Sequence, residues 1–442
     1  MHISAYIQSI SDSFRTLFGL QDEMKRGRTC MVGASIVGSI ISGISSGIFY
    51  TGFLLGNHID LTGIGVITFI PYLASLVSLA APYLLERFAH RRRLLALLRA
   101  LQWTVQLLGM TLLPMLVKDP SARIVCFCII SFMGTALSCL CTSGFTPWHL
   151  NFIPDQVRAS YFMFCSFLTN TISGLFLIFS GLIADALAGS PHQMTIILAL
   201  RYIAFGLALL EVWLLVRPKE FPYARRQTRP SPSQVFILPL RNGRFLKTEG
   251  INLLYLFVMN LTASVLNAWL LDSIGVSYTL INLVNTLYSF FLLLFGPFWQ
   301  RRIGRLGWLR TLSLSLLALA PTYVLYMLIR PDNFFWLFLI MRLIQHFIGV
   351  GQNTCVSNLL YLNMPEEERS SFVSFHTVVS NLAVLVSMML GTGFVSLMGD
   401  RVLTLGSLSF SSIPLLLGAT AVGCLLLALL IRRQAPKLEP LD

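Results

Sequence analysis

Long apolar stretches recur along the chain at nearly regular intervals. Twelve of them are long enough, at about 20 residues, for a helix to cross the hydrocarbon core of a bilayer. None alternates apolar and polar positions as a membrane β-strand does. The pattern therefore predicts twelve transmembrane helices, called spans one to twelve, which begin near Cys30, Gly63, Leu94, Ile124, Ser160, Met194, Gly250, Val276, Trp308, Phe334, Phe372 and Ser411.

The segment before span one has a pattern of its own. Its apolar residues, from Ile3 to Phe18, fall on one face of a helix, and Lys25, Arg26 and Arg28 follow. This arrangement predicts an interfacial helix that lies on the membrane surface. A flexible tail is the alternative.

Composition supports a membrane protein. Of the 442 residues, 55% are hydrophobic and 12% are charged, whereas a soluble globular chain has about 25% charged residues. Polar surface this small cannot keep a chain of this length in water. Lipid must therefore cover much of the outside. A soluble enzyme and a disordered or collagen-like chain are excluded on these grounds.

The positive charges are unevenly distributed. The net charge is +13, and 25 of the 32 Lys and Arg residues lie in segments that are inside if the N-terminus is cytoplasmic. Four lie in outside loops and three within spans. Cytoplasmic loops collect Lys and Arg in this way. The bias predicts that both termini are cytoplasmic, and it explains the basic charge without a nucleic-acid partner.

Two pairs of loops show that the sequence repeats. Residues 154–161, after span four, correspond to 365–372, after span ten, at an offset of 211. Residues 82–90, after span two, correspond to 297–305, after span eight, at an offset of 215. Six spans per half give both halves the same orientation, so the repeat is parallel.

The repeat predicts the organisation of the chain. We expect a cytoplasmic amphipathic segment at 1–28, a six-helix bundle at 29–216, a basic cytoplasmic linker at 217–248, a second six-helix bundle at 249–434 and a cytoplasmic tail at 435–442.

This layout resembles the major facilitator superfamily. That family has the motif Gly-x-x-x-Asp-Arg-x-Gly-Arg-Arg between spans two and three. Here Pro82 stands for the first Gly, Glu86 for Asp and Ala89 for the second Gly, whereas Arg87 matches and His90-Arg91 close the motif. The degraded second copy has Pro297, Arg301, Arg302, Gly304 and Arg305.

The resemblance implies an all-α membrane fold and a transport mechanism. Two bundles would rock about a site near the bilayer midplane and expose it to each side in turn, which is alternating access. Spans one, four, seven and ten would line the cavity, and spans three, six, nine and twelve would be peripheral. The motif loops would brace the halves on the cytoplasmic side through Glu86, Arg87, Arg91, Arg302 and Arg305.

Span ten has the most informative polar pattern. Its stripe falls at i, i+3, i+4, i+7, i+10 and i+11, which is helical spacing. A charge at membrane depth costs at least about 2.5 kcal/mol, so it is normally kept away from lipid. We therefore expect this stripe to face a wet cavity; it consists of Arg342, Gln345, His346, Gly349, Gln352 and Asn353.

The other three expected cavity spans also carry polar stripes. Span seven has Asn260, Ser264 and Asn267, and span one has a serine stripe that ends at Ser46 and is followed by Tyr50. Small polar residues in membrane helices also serve helix packing, which is the alternative. The predicted substrate-binding residues are Arg342, Gln345, His346, Asn353, Asn260, Asn267, Tyr50 and Ser46.

Other polar residues are predicted to be structural. Asn170 and Asn381 correspond in the repeat and form either a hydrogen-bonded tie in each half or two arms of one site. Arg158 and Arg369 cap helix ends. On the peripheral spans, Arg99 is expected to snorkel toward the cytoplasmic surface. Arg201 and Glu211 are about 15 Å apart along one helix, so each needs another partner.

The leading hypothesis is a secondary active or facilitative transporter of a small polar or anionic organic solute. Spans one, four and ten contain no Asp or Glu, which argues against a cationic substrate, whereas Arg can pair a carboxylate or phosphate. Two alternatives are open for the driving force: coupling to protons through His346 or His376, and uniport. The alternatives are efflux of amphipathic drugs and a non-transporting receptor or scaffold.

An enzyme is not expected, since no nucleophile lies within reach of a base. The eight cysteines lie in apolar stretches without Cys-x-x-Cys spacing, so we expect buried thiols rather than disulfides or zinc. No cofactor or metal is expected. We expect a monomer in a bacterial inner membrane, with lipid and the solute as its partners, and with protons as a further partner if transport is coupled to them.

Overall fold

The computed structural model describes residues 17–20, 22–79, 84–85, 88, 90–190, 192–221, 232–365, 369–399, 401–405 and 408–439. Within these ranges the side chains of residues 79, 147, 155–160, 163, 232–235, 369–370, 405 and 408 are outside the description. Eleven helical segments of the described chain are long and apolar enough to cross a membrane. They coincide with eleven of the twelve predicted spans.

The first half contains spans one to six. Three of these spans are interrupted: span one at Gly47, span two by a final 3₁₀ turn, and span three by a π-helical turn. Their bounds are Glu23–Ser46 with Ile48–Gly56, Leu61–Ala74 with Ser75–Leu79, Arg92–Trp103 with Thr104–Gly109 and Met110–Leu116, Pro120–Leu150, Asp155–Ala186, and Gln193–Val216.

The second half contains spans seven to twelve. A short helix, Pro232–Arg241, lies within the predicted linker and precedes them. Span seven is Gly243–Asn260, a turn, Leu266–Ala268 and a π-helical turn, Trp269–Ile274. Spans eight to twelve are Tyr278–Leu306, Trp308–Tyr326, Phe334–Leu362, Arg369–Met398 and Ser412–Leu438, with a hairpin of Leu403–Leu405 and Leu408–Phe410 before span twelve.

Span seven is the predicted span that is not among the eleven apolar segments. Its first turns carry Lys247, Glu249 and Asn252, so its mean hydropathy is low although its position in the fold is that of a span. The prediction of an all-α membrane protein with twelve helices is confirmed.

Aspartates fix the starts of three spans. The side chains of Asp22, Asp60 and Asp119 each accept a hydrogen bond from the backbone N–H three residues further on. Such N-caps satisfy one of the backbone donors that a helix leaves free at its start. The local sequence therefore sets where spans one, two and four begin.

The chain divides into two compact units that do not coincide with the halves of the repeat. The first unit comprises the described parts of 1–57 and 77–226, and the second those of 58–76 and 227–442. Span two belongs to the second unit because it packs along span eleven. The core of the first unit includes Leu95, Phe145 and Phe152; that of the second includes Leu309, Leu316, Cys355, Cys424 and Ala428.

A glutamate after the last span of each half caps the first turn of the third span of that half. Glu220 Oε1 accepts from the backbone N–H groups of Arg91 (2.5 Å) and Arg92 (3.0 Å). The carboxylate oxygens of Glu439 accept from Trp308 N (2.7 Å) and Leu309 N (2.8 Å). A carboxylate at a helix N-terminus also interacts favourably with the helix dipole. The repeat therefore extends to this long-range capping contact.

Replacing Glu439 with alanine should lower the free energy of unfolding by about 1–2 kcal/mol, the usual effect of losing a charged N-cap. Thermal unfolding in detergent measures the loss. Lys437→Ala is the matched control, since Lys437 is exposed two residues earlier in the same turn. A loss no larger than that of the control would show that the cap contributes nothing.

Candidate functional site

Polar side chains on span ten contact span eight. Arg342 Nη2 donates to Asn285 Oδ1 at 3.0 Å. One turn further along, His346 Nε2 lies 2.9 Å from the backbone carbonyl oxygen of Val284, which can only accept, so the ring nitrogen donates. Both contacts lie in the second unit.

The next contact on this face is made by Asn353. Its Nδ2 donates to the Tyr288 hydroxyl at 2.7 Å. The Tyr288 ring lies 5.4 Å from the imidazole of His346, between centroids. We call Arg342, His346 and Asn353 the polar row. These three residues recur at i, i+4 and i+11 and share one helical face.

The two glutamines of the predicted stripe point elsewhere. Gln345 accepts from Arg342 Nη1 at 3.4 Å and donates to Thr322 Oγ1 of span nine at 3.3 Å. Gln352 is buried, and its Nε2 lies 3.9 Å from the sulfur of Met259 in span seven. The predicted stripe is therefore divided among three neighbouring helices.

The guanidinium of Arg342 has no acidic partner in the described part of the chain. Its hydrogen bonds go to the neutral amide oxygens of Asn285 and Gln345, and its Nε is buried without a partner. A partly buried cation normally pairs with an anion because desolvation is costly. The polar row therefore contains a positive charge without a counter-ion.

Aromatic rings border the polar row. Phe291 lies 6.1 Å from the His346 ring and 5.2 Å from Phe295, and Phe295 lies 4.8 Å from Phe347, each between centroids. All four side chains belong to spans eight and ten. The row thus combines one cation, neutral hydrogen-bonding groups and an apolar aromatic surface.

The two asparagines of span seven make no hydrogen bond to the polar row. Asn260 Nδ2 donates to the Leu256 carbonyl of its own helix at 2.7 Å. Asn267 is half-buried and has no hydrogen-bond partner among the described residues. Ser264, between them, shares a 3.0 Å hydrogen bond with Thr392 of span eleven. Substrate contact by Asn260 and Asn267 stays a prediction.

The span-one candidates lie in the first unit. Ser46 is exposed, and its hydroxyl donates to the Ser42 carbonyl at 2.7 Å. Tyr50 is buried; its hydroxyl lies 3.2 Å from the sulfur of Met110, and its ring centroid is 5.8 Å from the Arg201 guanidinium carbon. Tyr50 is therefore involved in packing within the first unit, and a substrate role for either residue stays a prediction.

The motif loops are described only in part. Glu86 and Arg87 lie outside the described residues, as do the side chains of Arg158 and Arg369. Arg91 is buried, and its Nε donates to the Phe88 carbonyl at 2.9 Å. Arg302 and Arg305 are exposed.

The repeat-related asparagines differ in burial. Asn170 is exposed and Asn381 is half-buried. Neither side chain has a hydrogen-bond partner in the part of the chain that the structure describes. The tie predicted for each half is thus not formed with any described residue.

The peripheral charges of the first unit form a buried network. Arg99 does not snorkel as predicted: its Nε donates to Glu211 Oε2 at 3.1 Å, and its Nη2 pairs with Glu211 Oε1. Trp103 Nε1 donates to the same carboxylate at 2.7 Å. The snorkelling prediction was wrong because the acid on span six provides a counter-ion within the protein.

Arg201 is too far along its helix to pair with Glu211, and its guanidinium contacts neutral groups instead. Only 1% of its surface is exposed. Its Nε donates to Thr111 Oγ1 at 2.7 Å, and the Phe53 ring centroid lies 4.4 Å from its guanidinium carbon. The stacked ring gives the buried cation a cation–π contact.

The sequence analysis did not identify three polar residues that form hydrogen bonds between the spans. Asn285 and Tyr288 are three residues apart on span eight, which places them on one helical face, but that span was not expected to contribute to the site. Glu249 was missed because it lies at the predicted edge of span seven. A search for polar spacing in all twelve spans would have found the first pair.

Comparisons with known proteins agree with this fold. The sequence model of the Major Facilitator Superfamily matches residues 250–442. Comparison with curated protein sequences gives no match.

Solved structures of three transporters resemble the chain over most of its length. A mutant of the nucleoside transporter NupG is 13% identical, with a TM-score of 0.70, covering 92% of this chain and 99% of that one. A D-xylose–proton symporter is 12% identical, with a TM-score of 0.67 and coverages of 95% and 99%. A POT family transporter in complex with a thioalcohol-conjugated peptide is 14% identical, with a TM-score of 0.67 and coverages of 94% and 97%.

The chain is therefore an integral membrane protein with the fold of secondary transporters. The Major Facilitator Superfamily model matches the second half of the chain, and the solved transporters share its fold over most of its length. The predicted family resemblance is confirmed.

Proposed function

We propose that this protein is a secondary transporter that moves a small polar or anionic organic solute across the membrane by alternating access. The polar row on span ten provides part of the binding surface. The nucleoside, xylose and peptide transporters that share its fold support a polar organic solute, although at their low identity the likeness concerns the fold alone.

The observation that carries the proposal is the unpaired charge of Arg342. Its guanidinium has hydrogen bonds only to neutral amides within the described chain. A carboxylate or phosphate could pair with such a group through two hydrogen bonds. Asn353 and Tyr288, three turns away, offer neutral groups for the rest of the solute.

A thermal-shift screen followed by uptake tests the proposal. The purified protein is screened with nucleosides, pentoses, dipeptides, organic acids and sugar phosphates, and each stabilising solute is then assayed in proteoliposomes. Arg342→Ala should lower uptake by about tenfold or more, the effect of losing a hydrogen bond to a charged group. Arg342→Lys should rescue it only partly, because Lys lacks the planar fork.

Arg330→Ala is the control, because Arg330 is an exposed arginine in the loop before span ten. It should leave uptake unchanged. Uptake that is equally fast in Arg342→Ala and wild type would remove Arg342 from the site. If no solute stabilises or crosses, the result supports a non-transporting receptor or scaffold.

Drug efflux is a second candidate, favoured by the aromatic rings of Phe291, Phe295 and Phe347 beside the row. An amphipathic molecule could bury its apolar part against such rings. A resistance screen in cells that express the protein distinguishes the two. Protection against amphipathic drugs, lost in Phe291→Ala and kept in Arg342→Ala, would favour efflux.

We further propose that the protein is a monomer in a bacterial inner membrane with both termini in the cytoplasm. The distribution of Lys and Arg along the sequence supports this orientation. Labelling of single exposed cysteines introduced in the loops, from either side of sealed vesicles, tests it.

A further inference from the structure

The short helix before span seven packs against the end of the second unit that is predicted to be cytoplasmic. We call this helix, Pro232–Arg241, the linker helix; it contacts spans seven and eleven. The Phe236 ring lies 6.1 Å from the ring of Phe375 in span eleven, between centroids. Leu238 packs against a buried cluster that consists of Phe245, Leu360, Phe372 and Phe375. One side of the linker helix is therefore fixed to the protein.

The other side of the linker helix is apolar and uncovered. Phe236, Ile237 and Leu240 are 39%, 45% and 56% exposed, and we call them the apolar stripe. At about 100° per residue they lie within about 100° of one another around the helix. Leu238 and Pro239, which are half-buried and buried, lie on the opposite side. Uncovered apolar residues grouped on one surface mark a site of contact with a partner or a membrane.

The linker helix covers the beginning of the lipid-facing side of span eleven. Phe375 shares that side with Leu382, Val386 and Met389, at i, i+7, i+11 and i+14. These three later residues are 39%, 47% and 48% exposed, and apolar side chains that protein leaves uncovered on a membrane-spanning helix face the acyl chains. The contact with span seven is made by Ser387, about 120° from Phe375 around the helix. The linker helix therefore lies beside lipid.

The contact with Phe375 also indicates the depth of the linker helix. Span eleven begins at Arg369, and Phe375 lies about 9 Å further along the helix axis. An interfacial amphipathic helix buries its apolar side about 5–10 Å into the boundary between headgroups and acyl chains. The linker helix thus has the position of an interfacial helix.

Three cations follow the apolar stripe and have no anionic partner in the described chain. Arg241, Arg244 and Lys247 are exposed, and their side chains form no hydrogen bond or ion pair with any described residue. Lys247 lies seven residues before Leu254 in span seven, so the two share one side of the helix. Leu254 is 46% exposed. The cations therefore adjoin a lipid-facing surface and are free to bind anions there.

The repeat gives this arrangement a counterpart in the first half. Phe18 precedes span one, and its ring lies 6.0 Å from that of Tyr161 in span five. In the repeat, Tyr161 corresponds to Phe372 of span eleven. The segment before span one is the one whose pattern predicts an interfacial helix; its residues 1–16 lie outside the described residues. The linker helix occupies the corresponding place before span seven.

We propose that the linker helix is a docking surface for anionic phospholipid. The apolar stripe enters the boundary of the acyl chains, and Arg241, Arg244 and Lys247 bind headgroup phosphates. An arginine pairs with a phosphate through two hydrogen bonds. The occupant is lipid, since the stripe continues the lipid-facing side of span eleven and carries cations beside it. This surface requires no transported solute, so the inference is independent of the proposed function.

The first test measures the preference for anionic lipid. Purified protein in detergent is titrated with phosphatidylglycerol or with phosphatidylcholine, and the unfolding temperature is recorded. Phosphatidylglycerol should stabilise the wild type at concentrations at which phosphatidylcholine does not. Each basic residue at a membrane surface strengthens the binding of anionic lipid about fivefold. The variant Arg241→Gln/Arg244→Gln/Lys247→Gln should therefore need at least about tenfold more phosphatidylglycerol for the same stabilisation.

The matched control removes the same charge from the end of span twelve. Its substitutions, at three exposed positions, are Arg432→Gln, Arg433→Gln and Lys437→Gln. This variant should respond to phosphatidylglycerol as the wild type does. An equal loss of response in both variants, or equal stabilisation of the wild type by the two lipids, would overturn the proposal. Equal stabilisation by soluble glycerol 3-phosphate would overturn it too, because the ligand would then be a free phosphate.

The second test measures depth and holds even if the triple variant does not fold. A nitroxide label is attached to Ile237→Cys, or to Leu382→Cys as the lipid-facing reference, in bilayers of equal parts phosphatidylcholine and phosphatidylglycerol. The native cysteines are buried or half-buried, so the introduced thiol reacts preferentially. Both labels should collide more often with oxygen, which dissolves in lipid, than with a water-soluble nickel complex. More frequent collisions with the nickel complex at position 237 would show that the stripe faces water and would overturn the proposal.

Discussion

Replacing Arg99 with alanine should lower the free energy of unfolding by about 3–5 kcal/mol, the usual cost of removing one partner of a buried ion pair. Arg99 and Glu211 are the two members of such a pair in the first unit, with 16% and 3% of their side chains exposed. The substitution would leave the carboxylate of Glu211 with Trp103 Nε1 as its remaining donor.

The measurement is unfolding of the purified protein in mixed micelles, followed by the fluorescence of buried tryptophans. Arg93→Ala is the control, because Arg93 is exposed in the first turn of the same helix. It should change the stability by less than about 0.5 kcal/mol.

A compensating double substitution separates charge from shape. Arg99→Met/Glu211→Leu removes both charges and keeps most of the volume, and such replacements are often neutral or stabilising. We expect it to recover most of the stability that Arg99→Ala loses. A double variant as unstable as the single one would show that packing around Arg99, not the unpaired carboxylate, determines the loss.

The sequence was sufficient to predict the spans but not the pairing of charges between them. Twelve apolar stretches of membrane length determine twelve helices almost without reference to tertiary structure. The pair of Arg99 and Glu211 depends on how span three is rotated against span six, and its members are 112 residues apart. Periodicity within one helix gives a face but not its partner, so Arg99 was wrongly expected to reach the surface.

The polar stripe on span ten shows again that periodicity does not identify the helices that a polar face contacts. At about 100° per residue, Arg342, His346 and Asn353 lie within about 40° of one another around the helix. Gln345 and Gln352 lie about 60–80° to one side of Arg342, and in the structure they contact spans nine and seven. The spacing correctly predicted a polar face, but only the neighbouring helices divide that face into separate contacts.

Replacing Gly391 with alanine is expected to destabilise the second unit by about 3 kcal/mol, at the upper end of the range for overpacking. Gly391 lies in span eleven against the turn that follows the first helix of span seven. An added Cβ would lie 3.0 Å from the carbonyl carbon of Leu261 and closer still to its oxygen. These are backbone atoms, so no side-chain rotation can relieve the clash, and spans seven and eleven would have to move apart.

Gly393→Ala is the matched control, because it lies two residues further along the same helix and an added Cβ would meet nothing within 4 Å. Alanine is favoured over glycine inside a helix by about 1 kcal/mol, so this variant should be as stable as wild type or more so. Thermal unfolding of both variants in detergent gives the comparison. Separation of spans seven and eleven would also strain the hydrogen bond between Ser264 and Thr392. Adding Ser264→Ala to the Gly391→Ala variant should therefore lower its stability only slightly further. Similar unfolding temperatures for the Gly391 and Gly393 variants would show that the two helices are not held as closely as this contact requires.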